Sequence, residues 1–193
     1  GDMLFALYEA GNDIASTLFL DELIHRVGEM AAELASANRA MVFLVDTVAE
    51  QLTKAVIVGD DPDSIADMTY KDAISGIHGW VIRHKKPVLT DDIIADPRTK
   101  GAALERIRRV HPRSKAVAVA PLIIKRQVIG TLTVSNDEDR PDFNLNDLNL
   151  IAMLANQASI AIENAQLFEA AKQRAQEADT LRQAGAAVAA TLQ

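Results

Sequence analysis

The side chains best suited to bind a small molecule are hydroxyls that alternate along a predicted strand. Thr131, Thr133 and Ser135 fall at every second position of one apolar run, so they share one face of the strand. A hydroxyl both donates and accepts hydrogen bonds. This face is therefore suited to a polar ligand, and exposure to solvent explains the pattern equally well.

Charged and aromatic residues earlier in the chain add a second set of candidates. Asp92, Asp96 and Arg98 lie in a polar connection and are suited to orient a polar ligand, although Asp before Pro is also ordinary turn chemistry. Trp80 is the only tryptophan, and either core packing or pocket lining accounts for it.

Small residues along another predicted strand leave room for a neighbour. Ala116, Ala118 and Ala120 share one face of the segment 114–124, so either a ligand or a closely packed helix is expected there. The phrase Gly76-Ile77-His78-Gly79 enters a predicted helix, whose free N–H groups favour an anionic group. Two turns and a helix cap explain that phrase about as well.

Several kinds of chemistry are excluded by residue type. The chain has no cysteine, which excludes disulfides, thiolate nucleophiles, thiolate metal sites and thioether attachment of a tetrapyrrole. The four histidines show no i, i+4 pair, and no neighbouring set completes a metal site. Phosphate-binding loops, nucleophile elbows and zinc-protease helices are also absent from the sequence. We expect neither an enzyme nor a metal site.

The elements that must position these residues indicate an α+β fold. Runs 39–46 and 51–59, then 114–124 and 127–136, predict two antiparallel hairpins, with a short strand at 88–90 and helices at 80–84 and 102–110. Helical spacing predicts two helices between residues 5 and 34, the second capped by Asp21 or a neighbour, and a long helix over 145–192. The expected architecture is a central antiparallel sheet of about five to six strands, with helices packed on it and long N- and C-terminal helices.

Composition limits the class of partner. The 193 residues carry a net charge of −7, which works against nucleic-acid binding, and no apolar run is long enough to span a bilayer. We expect a cytoplasmic domain without direct membrane contact. One basic cluster is either a solvated helix face or the lid of an anion-facing pocket; it comprises Arg106, Arg108, Arg109, Arg113 and Lys115.

Several phrases in this order and spacing resemble the GAF domain family. They are residues 76–81, 86–92, 96–98, 113–114, 120–123, 128–132, 143–147 and 158–165. The resemblance implies an antiparallel sheet with helices behind it, a small-molecule pocket in front, and signal output through terminal helices in a homodimer. It further implies a non-catalytic sensing domain of a multidomain signalling protein of the histidine kinase or diguanylate cyclase type.

The resemblance also assigns candidate residues and excludes some ligands. The candidate ligand-binding residues are Phe43, Trp80, Asp92, Arg98, Ser114, Ala118, Thr131 and Thr133. Covalent bilin attachment and sulfoxide reduction use cysteine in this family, and neither is open to this chain. Cyclic-nucleotide binding is doubtful, because Asn136, Phe143 and Asp147 match that motif while Asp137 and Leu148 replace its Lys and Glu.

The domain boundaries and two alternative functions complete the sequence-based expectations. Residues 1–17 are expected to form a connecting helix, 18–168 the GAF domain, and 169–193 a signalling helix that runs into a truncated second copy, because 181–192 resemble 7–18; chance similarity between alanine-rich helices is the alternative. The ligand is unknown, and the output domain is expected in the same parent chain. One alternative function is a structural dimerisation spacer without a ligand, and the other is a haem sensor.

Overall fold

The computed structural model describes residues 19–192 as one antiparallel sheet with helices on both faces. Its helices are α1 (Leu20–Ala35), α2 (Tyr70–Ile74), α3 (Ile77–His84), α4 (Gly101–Val110) and α5 (Leu145–Thr191), with one 3-10 turn at Pro62–Ser64. Its strands are β1 (Arg39–Asp46), β2 (Gln51–Val58), β3 (Val88–Thr90), β4 (Ser114–Ile124) and β5 (Gln127–Asp137).

The sheet has five strands in the order β2-β1-β5-β4-β3, and every neighbouring pair is antiparallel. The α+β fold class and both predicted hairpins are therefore confirmed. The register places Phe43 opposite Thr131 and Thr133 opposite Val119, which brings β1, β5 and β4 side by side in the middle of the sheet. Pro121 lies in β4 just after the residues that pair with β3 and just before the bulge at Leu122/Ile123. Proline has no backbone N–H to donate to a neighbouring strand, so a position of this kind is expected for it.

The back face of the sheet packs on α1 and α5 to form the main core. Ala40, Val42 and Leu44 of β1 point to this face, as do Leu132 and Val134 of β5. The small side chains of Ala116, Ala118 and Ala120 let α5 lie close to β4, and Ser159 of α5 accepts a hydrogen bond from the Ile123 N–H at 3.1 Å. The alanine face is thus occupied by a helix, the second of the two explanations that the sequence allowed.

The front face of the sheet is covered by α3, α4 and the connections between β2 and β4. Ile77 and Val81 of α3 form a second, smaller core with Val117 and Val119 of β4. Gly79 lets α3 approach the end of α2 closely, because a Cβ at this position would lie 1.8 Å from the Ile74 carbonyl oxygen. The second glycine of the Gly-Ile-His-Gly phrase is therefore required by packing.

Local structure departs from the sequence expectations in three places. Helix α1 begins after Phe19, which makes no side-chain cap, and Asp21 lies in the first turn, so the predicted Asp21 cap is wrong. Helix α3 begins three residues before the predicted Trp80, and the short helix α2 was not predicted. The N-terminal connecting helix expected over 1–17 lies outside the described residues.

The long C-terminal helix is present as predicted. Helix α5 has 47 residues, which at 1.5 Å per residue spans about 70 Å. It begins with a capping box in which Asn144 and Asp147 each bond the backbone of the other. From residue 171 to 192 every side chain is exposed. No helix within residues 19–192 is both long and apolar enough to cross a membrane.

Candidate ligand-binding site

Three of the candidate residues meet on the front face of the sheet, beneath α3. Thr131 and Thr133 point forward from β5, and Phe43 points forward from the neighbouring β1. His78 of α3 completes the group: its Nε2 lies 2.9 Å from Thr133 Oγ1, and its ring lies edge-on to Phe43 with centroids 5.1 Å apart. We call these four residues the front site.

His78 is half-buried, and its imidazole is neutral near pH 7. Burial lowers the pKa of its imidazole to about 4, because desolvation disfavours the charged form. The side chain keeps some solvent-accessible surface. Met41, beside Thr133 on the same face, is also half-buried although it lies in the middle of the sheet.

The hydroxyl of Thr131 is the most unusual group in the front site. Thr131 is 1% exposed, and its Oγ1 has no hydrogen-bond partner among residues 19–192. Buried hydroxyls are nearly always paired, and an unpaired one costs about 1–3 kcal/mol. The Thr131 hydroxyl is therefore available to donate or accept a hydrogen bond next to the Thr133–His78 pair.

Charged residues at the far end of β5 are paired with one another. Arg39 binds Asp137 through two hydrogen bonds, of 2.5 and 3.3 Å, and Arg39 holds the pKa of the Asp137 carboxyl below its usual value. His111 lies 3.2 Å from Asp60, and burial together with the charge of Arg39 lowers the pKa of His111.

Four of the five residues in the predicted basic cluster are paired within the chain. Arg106 of α4 donates to the Ser64 carbonyl at 2.8 Å and to Asp67 at 2.6 Å, and lies 3.8 Å from Asp72. Arg109, Arg113 and Lys115 have their own carboxylate partners, respectively Asp67, Glu138 with Asp139, and Asp142. The contacts of Arg106 and Arg109 fasten α4 to the connection between β2 and α2.

Trp80 and Arg98 form a separate group on the outer side of α3. The Trp80 ring stacks on His84 with centroids 4.0 Å apart, and the Arg98 guanidinium lies 5.5 Å from the Trp80 ring. Arg98 also donates two hydrogen bonds to the buried Asp96 carboxylate, which lowers the pKa of Asp96 to about 2. Trp80 and Arg98 therefore both have partners within the chain. The Arg98–Asp96 pair stabilises the connection that follows β3.

Three candidate residues lie away from the front site. The exposed Asp92 carboxylate accepts from the Ile94 and Ala95 N–H groups and so shapes a turn. Ser114 lies at the start of β4, opposite Asp137. Ala118 points into the core behind the sheet, on the face opposite to the front site. The structure therefore groups Phe43, Thr131 and Thr133 but separates them from the other five.

The residues of the cyclic-nucleotide motif have structural roles here. Asn136 accepts the Asn38 N–H at 2.7 Å, and Asp147 belongs to the α5 capping box with Asn144. Asp137, which replaces the Lys of the motif, faces Arg39. Within residues 19–192 no cluster of three His, Cys, Asp or Glu side chains is placed to hold a metal.

A row of exposed apolar side chains runs along α5 at intervals of seven residues. Met153, Ile160, Leu167, Leu181 and Val188 are 41–73% exposed, and Arg174 occupies the one remaining position of the series. We call this row the α5 seam. It begins on the part of α5 that packs under the sheet and continues into the part that extends beyond it.

Comparison with known proteins agrees with this architecture. The family model for the GAF domain matches residues 19–162. Similar solved structures include the GAF domain of a phosphoenolpyruvate-protein phosphotransferase from Coxiella burnetii, at 18% identity and TM-score 0.73 over 87% of this chain and 96% of that one. They also include free methionine-R-sulfoxide reductase from Neisseria meningitidis in complex with its substrate, at 18% identity and TM-score 0.68 over 84% and 89%. A methyl-accepting chemotaxis protein segment matches at 23% identity and TM-score 0.67 over 83% and 99%. The chain belongs to the GAF domain family, a family of sensory and regulatory domains found in signalling proteins.

Proposed function

We propose that this domain binds a small molecule at the front site and passes the change to the rest of its parent protein through α5, without catalysing a reaction. The observation that carries the proposal is the buried Thr131 hydroxyl without a partner, beside the hydrogen-bonded Thr133–His78 pair. A polar group left unsatisfied in a folded core is costly, and a ligand that supplied its hydrogen bond would be bound preferentially by the folded state.

The parent protein that fits this role is a cytoplasmic signalling protein with its own output domain, of the histidine kinase or diguanylate cyclase type. A ligand alters the output only if it binds two arrangements of the domain with unequal affinity. Helix α5 is suited to carry such a difference, because it packs under β4 at one end and extends free of the body at the other.

Thermal melting against a library of nucleotides, metabolites and haem tests the proposal. A ligand bound only by the folded state adds about 2.7 kcal/mol of stability at 100 times its Kd, so we expect a saturable rise in Tm for at least one compound. The rise should be weakened in Thr133→Val and kept in Thr180→Val, a matched change on the exposed part of α5. A flat profile over the whole library would contradict ligand sensing.

A second candidate function, dimerisation without a ligand, is favoured by the α5 seam. A coiled coil carries apolar residues at two positions of each seven-residue repeat. The α5 seam supplies one of these positions, and its side chains are more than half exposed at Ile160, Leu167, Leu181 and Val188, so a partner helix would bury them. We propose a homodimer in which two copies of α5 pair along this seam. Sedimentation of the purified chain tests it: a monomer at all concentrations up to the millimolar range would contradict it.

A further inference from the structure

The polar atoms of the front site carry no charge. Thr131 and Thr133 offer hydroxyls, and His78 offers an imidazole that remains neutral near pH 7. Phe43 adds an apolar aromatic wall beside His78. A ligand in this site would meet hydrogen-bonding groups and an apolar surface, but no opposite charge.

Two arginines on the front side of the sheet, Arg39 and Arg106, are already paired within the chain. Arg39, which lies opposite Ser135 on the same face, is bound to Asp137. Arg106 on the covering helix is bound to Asp67 and the Ser64 carbonyl. Freeing Arg39 for a ligand would leave the mostly buried Asp137 carboxylate without its counter-ion, which is unfavourable.

The cost of desolvation then separates neutral from charged ligands. A carboxylate or phosphate that entered the front site would lose its water without gaining a counter-ion, and such transfer is strongly unfavourable. An amide or a ring lactam loses much less and recovers its hydrogen bonds from Thr131, because a hydroxyl can serve as donor or acceptor.

We infer that the front site selects an uncharged hydrogen-bonding molecule, such as an amide, a lactam or a nucleobase, over its carboxylate or phosphate counterpart. This inference rests on the proposed ligand-sensing function and narrows it. It also predicts that any charged part of a larger ligand stays outside the site, near the edge of α4.

Methyl NMR on threonine-labelled protein with matched pairs of compounds tests this selectivity. Nicotinamide and nicotinate form one pair, and adenosine and adenosine monophosphate form the other. We expect the neutral member of at least one pair to shift the Thr131 and Thr133 methyl signals saturably, with at least a tenfold lower Kd than its charged counterpart. Thr131→Val should weaken that binding about tenfold, the value of one hydrogen bond, while Thr180→Val should leave it unchanged.

The possible results separate the two claims. Charged members that bind at these methyls as tightly as the neutral ones would overturn the selectivity and leave the sensing function standing. If no member of either pair shifts these signals at millimolar concentration, the selectivity for this class is wrong. If the melting library is flat as well, ligand sensing fails with it.

Discussion

Replacing Thr131 with valine tests whether the deepest hydroxyl of the front site is unsatisfied. The side chain is 1% exposed and its Oγ1 has no partner among residues 19–192. Valine keeps nearly the same shape and removes the group that is costly to bury, a cost of about 1–3 kcal/mol. We therefore expect Thr131→Val to raise the free energy of unfolding by about 1–2 kcal/mol, which for a chain of this size raises Tm by roughly 4 °C.

The neighbouring threonine provides the matched control. Thr133 is fully buried, and its Oγ1 lies 2.9 Å from His78 Nε2. Thr133→Val removes that hydrogen bond and leaves the imidazole nitrogen without a partner, so we expect a loss of about 1–3 kcal/mol. The two variants make the same chemical change two residues apart on one strand, yet should move stability in opposite directions.

Urea unfolding followed by circular dichroism, without added ligand, measures both effects. The m value should be unchanged in both variants, so that a shift of the midpoint reports stability alone. If Thr131→Val lowers the midpoint as much as Thr133→Val does, the Thr131 hydroxyl is satisfied in the free protein. The reasoning that assigns it to a ligand would then be wrong.

Three further predictions follow from other contacts. Asp96→Asn should lower the free energy of unfolding by about 1–2 kcal/mol at pH 7, because Arg98 lowers the pKa of Asp96 from 3.8 to about 2. The charged carboxylate stabilises the folded protein at pH values above 3.8, and this stabilisation is lost as the pH falls through 2. The difference in urea midpoint between wild type and Asp96→Asn should therefore shrink between pH 4 and pH 2. Leu181→Glu should convert a dimer to a monomer in sedimentation, while the exposed neighbour Gln183→Glu should not. Gly79→Ala should lower Tm by several degrees in calorimetry, because its Cβ would meet the Ile74 carbonyl at 1.8 Å.

Each of these has a result that would contradict it. A pH-independent gap between wild type and Asp96→Asn would show that the Arg98 contact does not stabilise the charged carboxylate. An unchanged dimer in Leu181→Glu would place the interface away from the α5 seam. A Gly79→Ala protein as stable as wild type would mean that α2 and α3 separate without cost.

Local pattern was enough to predict the strands of the sheet. The run 39–46 is apolar at both alternating sets of positions, which is typical of a strand covered on both faces, and β1 has those bounds. The five-residue helix α2 was missed because an element of little more than one turn shows no apolar period. Its start is fixed by a capping box between Thr69 and Asp72.

The front site was only partly predictable, because its contacts join distant parts of the chain. Alternation alone grouped Thr131 with Thr133, but His78 is 55 positions away from Thr133. Nothing local distinguishes a histidine that points into the sheet from one that points to water. The available signal was its place between two glycines at the entry to a helix, where α3 packs closely.

The ion-pair partners of the basic cluster were also not predictable from the sequence. Its run of arginines was compatible with a solvated face or an anion-binding lid. The partner of Arg106 lies 39 positions earlier, at Asp67, and sequence spacing gives no sign of that pairing. The structure shows that Arg106 fastens α4 to the connection between β2 and α2, whereas Arg108, Arg109 and Arg113 are exposed, as the solvated alternative expected.

Ligand sensing and dimerisation involve the same helix, and this links the two proposed functions. The first half of α5 packs under β4, where Ser159 binds the Ile123 N–H, and the α5 seam begins on that same half at Met153 and Ile160. A ligand that shifts β5 and β4 relative to α5 therefore changes the surface on which the second copy packs. By linkage, dimerisation must then change ligand affinity by the same factor. A front-site ligand whose affinity is equal in monomer and dimer would therefore be bound without being signalled along the α5 seam.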